Sequence, residues 1–126
     1  MAYRTPLARV RGLGSAKEGA EHFWRQRLTA VANIFLISFL VWLLVTLAGA
    51  DYATVKPTLG KPHIAIPLLL LVLSGLVHMR LGMQTIIEDY VHSEGRKVAA
   101  LMLNSFFAFA VGLVCVFAVL KLSFGA

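Results

Sequence analysis

The stretch LTAVANIFLISFLVWLLVTLAGA, residues 28–50, decides the fold because it holds 23 consecutive residues without a formal charge. A helix needs about 20 apolar residues to cross a hydrocarbon core of about 30 Å. Two similar runs follow at residues 64–87, which only His78 and Arg80 interrupt, and at residues 98–120. Backbone polar groups cannot stay unpaired in lipid, so each run should be helical. The sequence predicts three transmembrane helices, at about residues 28–50, 64–89 and 98–122.

The composition agrees with a membrane protein. The chain has 126 residues, of which 59% are hydrophobic and 14% are charged, and its mean hydropathy is +0.78. Soluble domains usually carry about 25% charged residues, and a chain this small has too much surface to hide so much apolar matter from water. These numbers exclude a soluble monomer and predict an all-α integral membrane protein. The single cysteine, Cys115, excludes an intramolecular disulfide and a cysteine-rich metal site.

The parts between the apolar runs are polar. Residues 1–27 carry six Lys or Arg but no short apolar core of a signal peptide, so they are predicted to be a polar basic segment before a membrane anchor at residues 28–126. Residues 51–63 are predicted to be a polar loop, because their prolines and Gly60 are typical helix-ending residues. Residues 88–97 are predicted to be a second, charged loop.

The distribution of basic residues predicts the orientation in the membrane. The N-terminal segment and the second loop together carry eight Lys or Arg, whereas the first loop and the C-terminal tail carry three. Loops rich in Lys and Arg stay on the cytoplasmic side. The N-terminus is therefore expected inside and the C-terminus outside, in a bacterial inner membrane or, alternatively, a mitochondrial inner membrane.

His78 is the most informative residue, because an ionisable side chain within a membrane span usually faces protein, water or a cofactor. Two interpretations stay open: a hydrogen bond to a neighbouring helix, and ligation of haem iron by the neutral imidazole. Ser74, Gly75 and Gly82 share its helical face and would let a flat macrocycle or another helix approach closely. The other histidines lie outside the apolar spans, so the second ligand of a six-coordinate haem would have to come from another chain.

Other polar residues near the membrane boundary have two interpretations each. Asp89 and Tyr90 end the second span, where tyrosines and acidic residues are common at the membrane interface. Alternatively, the Tyr90 phenol could donate a hydrogen bond to a quinone carbonyl while the Asp89 carboxylate orients the phenol. Arg27 is either an interfacial anchor or a cation for a haem propionate or a quinone pocket. Arg80 could reach the lipid headgroups or neutralise a propionate.

The segment HMRLGMQTIIEDY, residues 78–90, resembles the H-x3-G-x6-D-Y signature of the hydrophobic membrane anchor subunit of succinate dehydrogenase, the D subunit of complex II. The stretch HFWRQRLTA, residues 22–30, is similar to the family's entry to its first helix. The resemblance extends over about residues 22–122, and the Arg-rich start is typical of alphaproteobacterial members.

The resemblance implies a role for each matching residue. His78 would be an axial ligand of haem b, whose other ligand the C subunit supplies. Tyr90 would hydrogen-bond ubiquinone beside Asp89, and Arg27 would lie near the propionates and the quinone. The chain would be half of a haem-binding helix bundle and would anchor a flavoprotein and an iron–sulfur subunit without being catalytic itself. A quinol:fumarate reductase anchor and a small non-redox transport or assembly protein are the alternatives.

Overall fold

A computed structural model describes residues 5–12 and 18–125, and every regular element in these ranges is a helix. The helices are α1 (Pro6–Val10), α2 (Glu18–Leu47), α3 (Tyr52–Gly60), α4 (Pro62–Tyr90) and α5 (Glu94–Phe124). By length and composition α2, α4 and α5 can each cross a membrane, which confirms the predicted all-α membrane fold. Residues 1–4 and 13–17 of the predicted basic segment lie outside the described residues.

The first long helix begins well before the apolar run. α2 starts at Glu18, so residues 18–27 of the predicted polar segment are helical and continuous with the first span. The Arg25 guanidinium forms an ion pair with the Glu21 carboxylate one turn earlier, and such pairs stabilise a helix in water. The apolar run sets where lipid begins, but it does not set where the helix begins.

The prediction of a polar loop at residues 51–63 is wrong, because α3 occupies most of it. Asp51 is the N-cap of α3, and its carboxylate accepts a hydrogen bond from the Thr54 N–H at 3.0 Å. Pro57 removes one backbone donor within α3 without ending it. Pro62 is the first residue of α4, a position where proline needs no N–H partner, so it begins a helix.

The second connection is shorter than predicted. α4 continues to Tyr90 and α5 begins at Glu94, so only residues 91–93 link the two helices. Glu94 in the first turn of α5 and Lys121 in its last turn are placed favourably for the helix dipole. Residues 88–90 and 94–97 of the predicted loop therefore belong to helices.

α4 is the central helix of the fold. It packs against α2 on one side and against α5 on the other, and the short α3 packs against α5 and α4. At the α3–α5 contact, a Cβ added to Gly60 would lie 2.5 Å from the carbonyl oxygen of Leu122, so only glycine allows the two backbones to approach this closely. The buried hydrophobic residues are Leu43, Ile64, Ala65, Leu81, Ile87, Ala108 and Val119.

Candidate functional site

One face of α2 carries a polar stripe that packs against α4. Its members are spaced four, three and four residues apart, which places them on the same side of the helix: His22, Gln26, Thr29 and Asn33. The Thr29 hydroxyl oxygen lies 3.2 Å from Nδ1 of His78. The Gln26 amide nitrogen lies 3.4 Å from the position that a Cβ on Gly82 would take. The stripe therefore lies directly over the helical face that carries the sequence signature.

His78 is half-buried and held from one side only. Its Nδ1 contacts Thr29 on α2, so the interhelical hydrogen bond that the sequence offered as one interpretation is present. The Ser74 hydroxyl, one turn earlier on α4, donates to the Thr29 backbone carbonyl at 3.4 Å. Nε2 of His78 makes no hydrogen bond to any described residue. The ring is thus anchored through one nitrogen while the other stays free to bind a ligand.

A pocket of about 390 Å³ lies between α2 and α4 and is lined by both Arg27 and His78. His22 and Gln26 also line it, as does Thr85 of α4. Its volume is near the lower end of the range of about 300–1,000 Å³ that is usual for ligand sites. Because the pocket is also partly open, this chain supplies only part of the enclosure of any ligand.

Buried polar atoms in this region lack partners among the described residues. They are Nε2 of His22, Oε1 of Gln26 and Oδ1 of Asn33. A buried polar atom without a hydrogen bond costs about 1–3 kcal/mol. Since His22 and Gln26 line the pocket, a polar ligand there would satisfy them. The sequence interpretation missed Gln26 and Thr29 and set His22 aside, although the four-three-four spacing was visible across the boundary drawn at residue 28.

The pocket residues include a cation, and the histidine has open space beside it, which are features that a group with an anionic edge such as haem would need. A Cβ added to Gly75 would meet no atom within 4 Å, so the space beside His78 is open. The guanidinium of Arg27, which lies 5.1 Å from the centre of the Phe23 ring, supplies a cation. The described residues contain no group of three or more metal-ligating side chains, so an iron at His78 would need its equatorial ligands from a macrocycle.

Asp89 and Tyr90 lie elsewhere, at the last turn of α4. Tyr90 is 77% exposed, and neither side chain makes a hydrogen bond to the described residues. Tyr90 is twelve residues beyond His78, which corresponds to about 18 Å along the helix. The structure therefore brings Arg27 and His78 into one pocket but leaves Asp89 and Tyr90 at a separate surface.

Arg80 faces the other side of α4. Its Nε donates to the Ser105 hydroxyl of α5 at 3.3 Å, and its backbone carbonyl accepts from the Asn104 amide at 3.0 Å. Two residues beyond His78 correspond to about 200° around the helix. The guanidinium is thus directed away from the pocket, which does not favour the interpretation in which Arg80 pairs with an anionic group at His78.

The comparisons with known proteins agree with the signature. The family of succinate dehydrogenase/fumarate reductase transmembrane subunits matches residues 1–118. The succinate dehydrogenase hydrophobic membrane anchor subunit of Paracoccus denitrificans is 32% identical over 126 residues, which is 100% of this chain and 97% of the relative.

Two further relatives cover a smaller share of the chain. The subunit of the same name from Rickettsia bellii is 34% identical over 89 residues, 71% of each chain. The succinate dehydrogenase membrane anchor subunit of Reclinomonas americana is 31% identical over 90 residues, 69% of this chain and 75% of the relative. No solved structure gives a significant match. The chain therefore belongs to the family of succinate dehydrogenase and fumarate reductase transmembrane subunits, as a hydrophobic membrane anchor of the alphaproteobacterial type.

Proposed function

We propose that this non-catalytic anchor subunit serves a succinate:ubiquinone oxidoreductase and shares one haem b with a second membrane chain. The observation that carries the proposal is the geometry of His78, whose Nδ1 is held by Thr29 while Nε2 stays free beside a partly open pocket. A cytochrome b-type C subunit would supply a second iron ligand and enclose the open side of the pocket. The alternative of a small non-redox transport or assembly protein is displaced by the family match.

In this proposal four of the residues that line the pocket each have one role. His78 would hold the iron through Nε2, and Arg27 would neutralise a propionate. His22 and Gln26, whose buried atoms lack partners among the described residues, would hydrogen-bond the same anionic edge. Haem, when bound, supplies a one-electron redox centre whose potential depends on its axial ligands and their hydrogen bonds. The chain's own contribution is to bind, orient and partly shield that group.

Ubiquinone would bind at the end of α4, at a separate site from the haem. The Tyr90 phenol, 77% exposed in this chain alone, would donate a hydrogen bond to a quinone carbonyl, and Asp89 would orient the phenol. A hydrogen bond of this kind contributes about 0.5–1.5 kcal/mol net. Tyr90→Phe should therefore slow ubiquinone reduction by about twofold to tenfold while succinate oxidation with an artificial acceptor continues. Reduction of ubiquinone at the wild-type rate in an intact complex would refute this assignment.

The other subunits would dock on the side of the membrane that carries the N-terminus. Eight Lys or Arg flank the spans on that side and three flank the other, which favours an N-terminus in the cytoplasm and a C-terminus outside. The flavoprotein and the iron–sulfur subunit would then bind at the cytoplasmic face of a bacterial inner membrane. Reporter fusions to the two termini should give opposite signals, and a cytoplasmic C-terminus would contradict the orientation.

The haem assignment is tested by a reduced-minus-oxidised spectrum of the purified complex. His78→Ala should remove or shift the b-type band, because the axial ligand is lost. His92→Ala is the matched control, since His92 is exposed in the link between α4 and α5. An unchanged band in His78→Ala would exclude His78 as an iron ligand.

A quinol:fumarate reductase anchor is the second candidate, because the matching family includes the transmembrane subunits of both complexes. The relatives named above are succinate dehydrogenase subunits, which favours succinate oxidation. The ratio of the two catalytic directions in the purified complex separates the candidates: faster fumarate reduction than succinate oxidation would favour the second.

A further inference from the structure

We propose that Thr29 is a positioning residue that fixes the tautomer of His78, with the proton on Nδ1 and a free lone pair on Nε2. This inference rests on the proposed function, in which His78 binds haem iron. It assigns a task to a residue on α2 that lies outside the signature segment on α4.

The first step concerns the single hydroxyl proton of Thr29. The hydroxyl oxygen lies 2.8 Å from the Arg25 carbonyl oxygen and 3.1 Å from the Gln26 carbonyl oxygen, both one turn earlier on α2. It lies 3.2 Å from Nδ1 of His78. A carbonyl oxygen can only accept a hydrogen bond, and a hydroxyl has one proton to donate. The two short contacts to carbonyls therefore use that proton.

The second step concerns the proton of His78. With its own proton directed to the α2 backbone, the Thr29 oxygen can only accept from the ring, so Nδ1 must carry hydrogen. A neutral imidazole protonated on Nδ1 has an unprotonated Nε2, which is the form that binds a metal. The opposite arrangement, with Thr29 donating to Nδ1, would leave the proton on Nε2 and block ligation.

The third step concerns the stability of this geometry. Thr29 and His78 are both half-buried, and the Ser74 hydroxyl bonds the Thr29 backbone carbonyl at 3.4 Å. Two contacts therefore connect α2 to α4 at the level of the histidine. Partners of this kind orient a metal-binding imidazole and raise its basicity, and their loss typically costs about 10- to 100-fold in metal affinity or activity.

The test uses the purified complex and compares isosteric changes at two threonines of α2. Thr29→Val removes the acceptor of the Nδ1 proton. Thr46→Val is the matched control, because the Thr46 hydroxyl bonds only the Leu43 carbonyl of its own helix, at 2.9 Å. Thr29→Val should weaken haem retention about 10- to 100-fold and raise the haem reduction potential, since a less basic imidazole stabilises oxidised iron less. Thr46→Val should match wild type, and Thr29→Ser, which keeps the hydroxyl, should restore both properties.

The outcomes separate this inference from the proposed function. If Thr29→Val keeps the wild-type potential and haem content while His78→Ala loses the haem, Thr29 has no positioning role and the proposed function stands. If His78→Ala keeps the haem unchanged, the proposed function itself fails. Should Thr29→Val not assemble, Thr29→Ala and Thr29→Ser decide together: a raised potential in Thr29→Ala with a wild-type potential in Thr29→Ser supports the inference, and equal potentials in the two variants overturn it.

Discussion

The two sides of α4 are built from different chemistry. Toward α2 the contact includes hydrogen-bonded polar groups at Thr29, His78 and Ser74, and buried polar atoms of α2 lack partners among the described residues. Toward α5 the contact is mostly apolar, as where Gly112 lies against Leu76, and its polar groups at Arg80 and Ser105 bond each other. These α5-side polar groups therefore have partners within this chain, whereas three buried polar atoms of α2 have none among the described residues.

From this difference we expect the α5 side to maintain the fold and the α2 side to contact a further group. In lipid, helices associate by close packing of small residues and by hydrogen bonds, and the α5 side has both. Unpaired buried polar atoms on the α2 side cost free energy, which a bound group or a partner chain can recover. Mutations on the α5 side should therefore affect stability, and mutations on the α2 side should affect ligand content.

The largest effect is expected at Gly60, where α3 meets α5. A Cβ at this position would lie 2.5 Å from a backbone carbonyl oxygen, which cannot rotate away as a side chain could. Gly60→Ala should destabilise the assembled complex by about 1–3 kcal/mol, measured as a lower midpoint of thermal denaturation. The haem spectrum of the folded fraction should not change. A wild-type denaturation midpoint would contradict the close backbone contact.

A matched pair of glycine substitutions compares the two sides of α4 directly. In Gly112→Ala the new methyl lies 2.9 Å from Leu76 Cδ1, the movable end of a side chain, whereas in Gly75→Ala it meets nothing within 4 Å in this chain. Alanine also favours a helix over glycine by about 1 kcal/mol, so both variants should fold. Haem content per complex should fall in Gly75→Ala and stay constant in Gly112→Ala. The reverse order would mean that the ligand does not lie beside His78.

A smaller effect is expected from Asn33, whose buried Oδ1 lacks a partner among the described residues. If this oxygen is satisfied by another chain, Asn33→Leu should weaken assembly by about 0.6–2 kcal/mol, the range for hydrogen bonds between membrane helices. Ser38→Ala is the control, because the Ser38 hydroxyl already bonds the Ile34 carbonyl of its own helix at 2.7 Å. The measurement is dissociation of the complex with increasing detergent. Equal behaviour of both variants would show that Asn33 has no partner.

The smallest effect concerns Asp51, outside the membrane spans. Hydrogen bonds from the Thr54 side chain and from the Thr54 N–H hold the pKa of Asp51 below its ordinary value. Because the pKa is lowered, the ionised carboxylate stabilises α3 fully at pH values above the ordinary pKa of aspartate. This stabilisation is lost as the pH falls through the lowered pKa. Amide exchange in α3, corrected for the intrinsic rate at each pH, should become less protected across that acidic range in wild type. Asparagine also caps a helix, so in Asp51→Asn the corrected protection should not vary with pH. If the variant kept the pH dependence of the wild type, the role assigned to Asp51 would be refuted.

The sequence was sufficient to predict the three spans, because every backbone polar group within lipid must be hydrogen-bonded and a long apolar helix meets this requirement. It was not sufficient for α3, since Pro57 and Gly60 each have two structural uses: they can end a helix or be accommodated in one. Only the tertiary contact with Leu122 identifies Gly60 as a packing residue. His78 could be proposed as a site residue from its position within an apolar span and from the signature, and Arg27 from its place at the start of the first span and in the second matching stretch. Thr29 could not be selected, because a threonine within an apolar run costs little free energy in the membrane and does not stand out. Its partner, His78, is 49 positions away in the sequence.

The short link between α4 and α5 limits how far this end of the protein projects from the membrane. α4 has 29 residues and α5 has 31, so at 1.5 Å per residue each is roughly 45 Å long and exceeds a hydrocarbon core of about 30 Å. Only residues 91–93 connect them, so this hairpin ends within or just above the headgroup layer and adds no folded loop. A soluble subunit seated there would meet bare helix ends, and Tyr90, the last residue of α4, would lie directly beneath it.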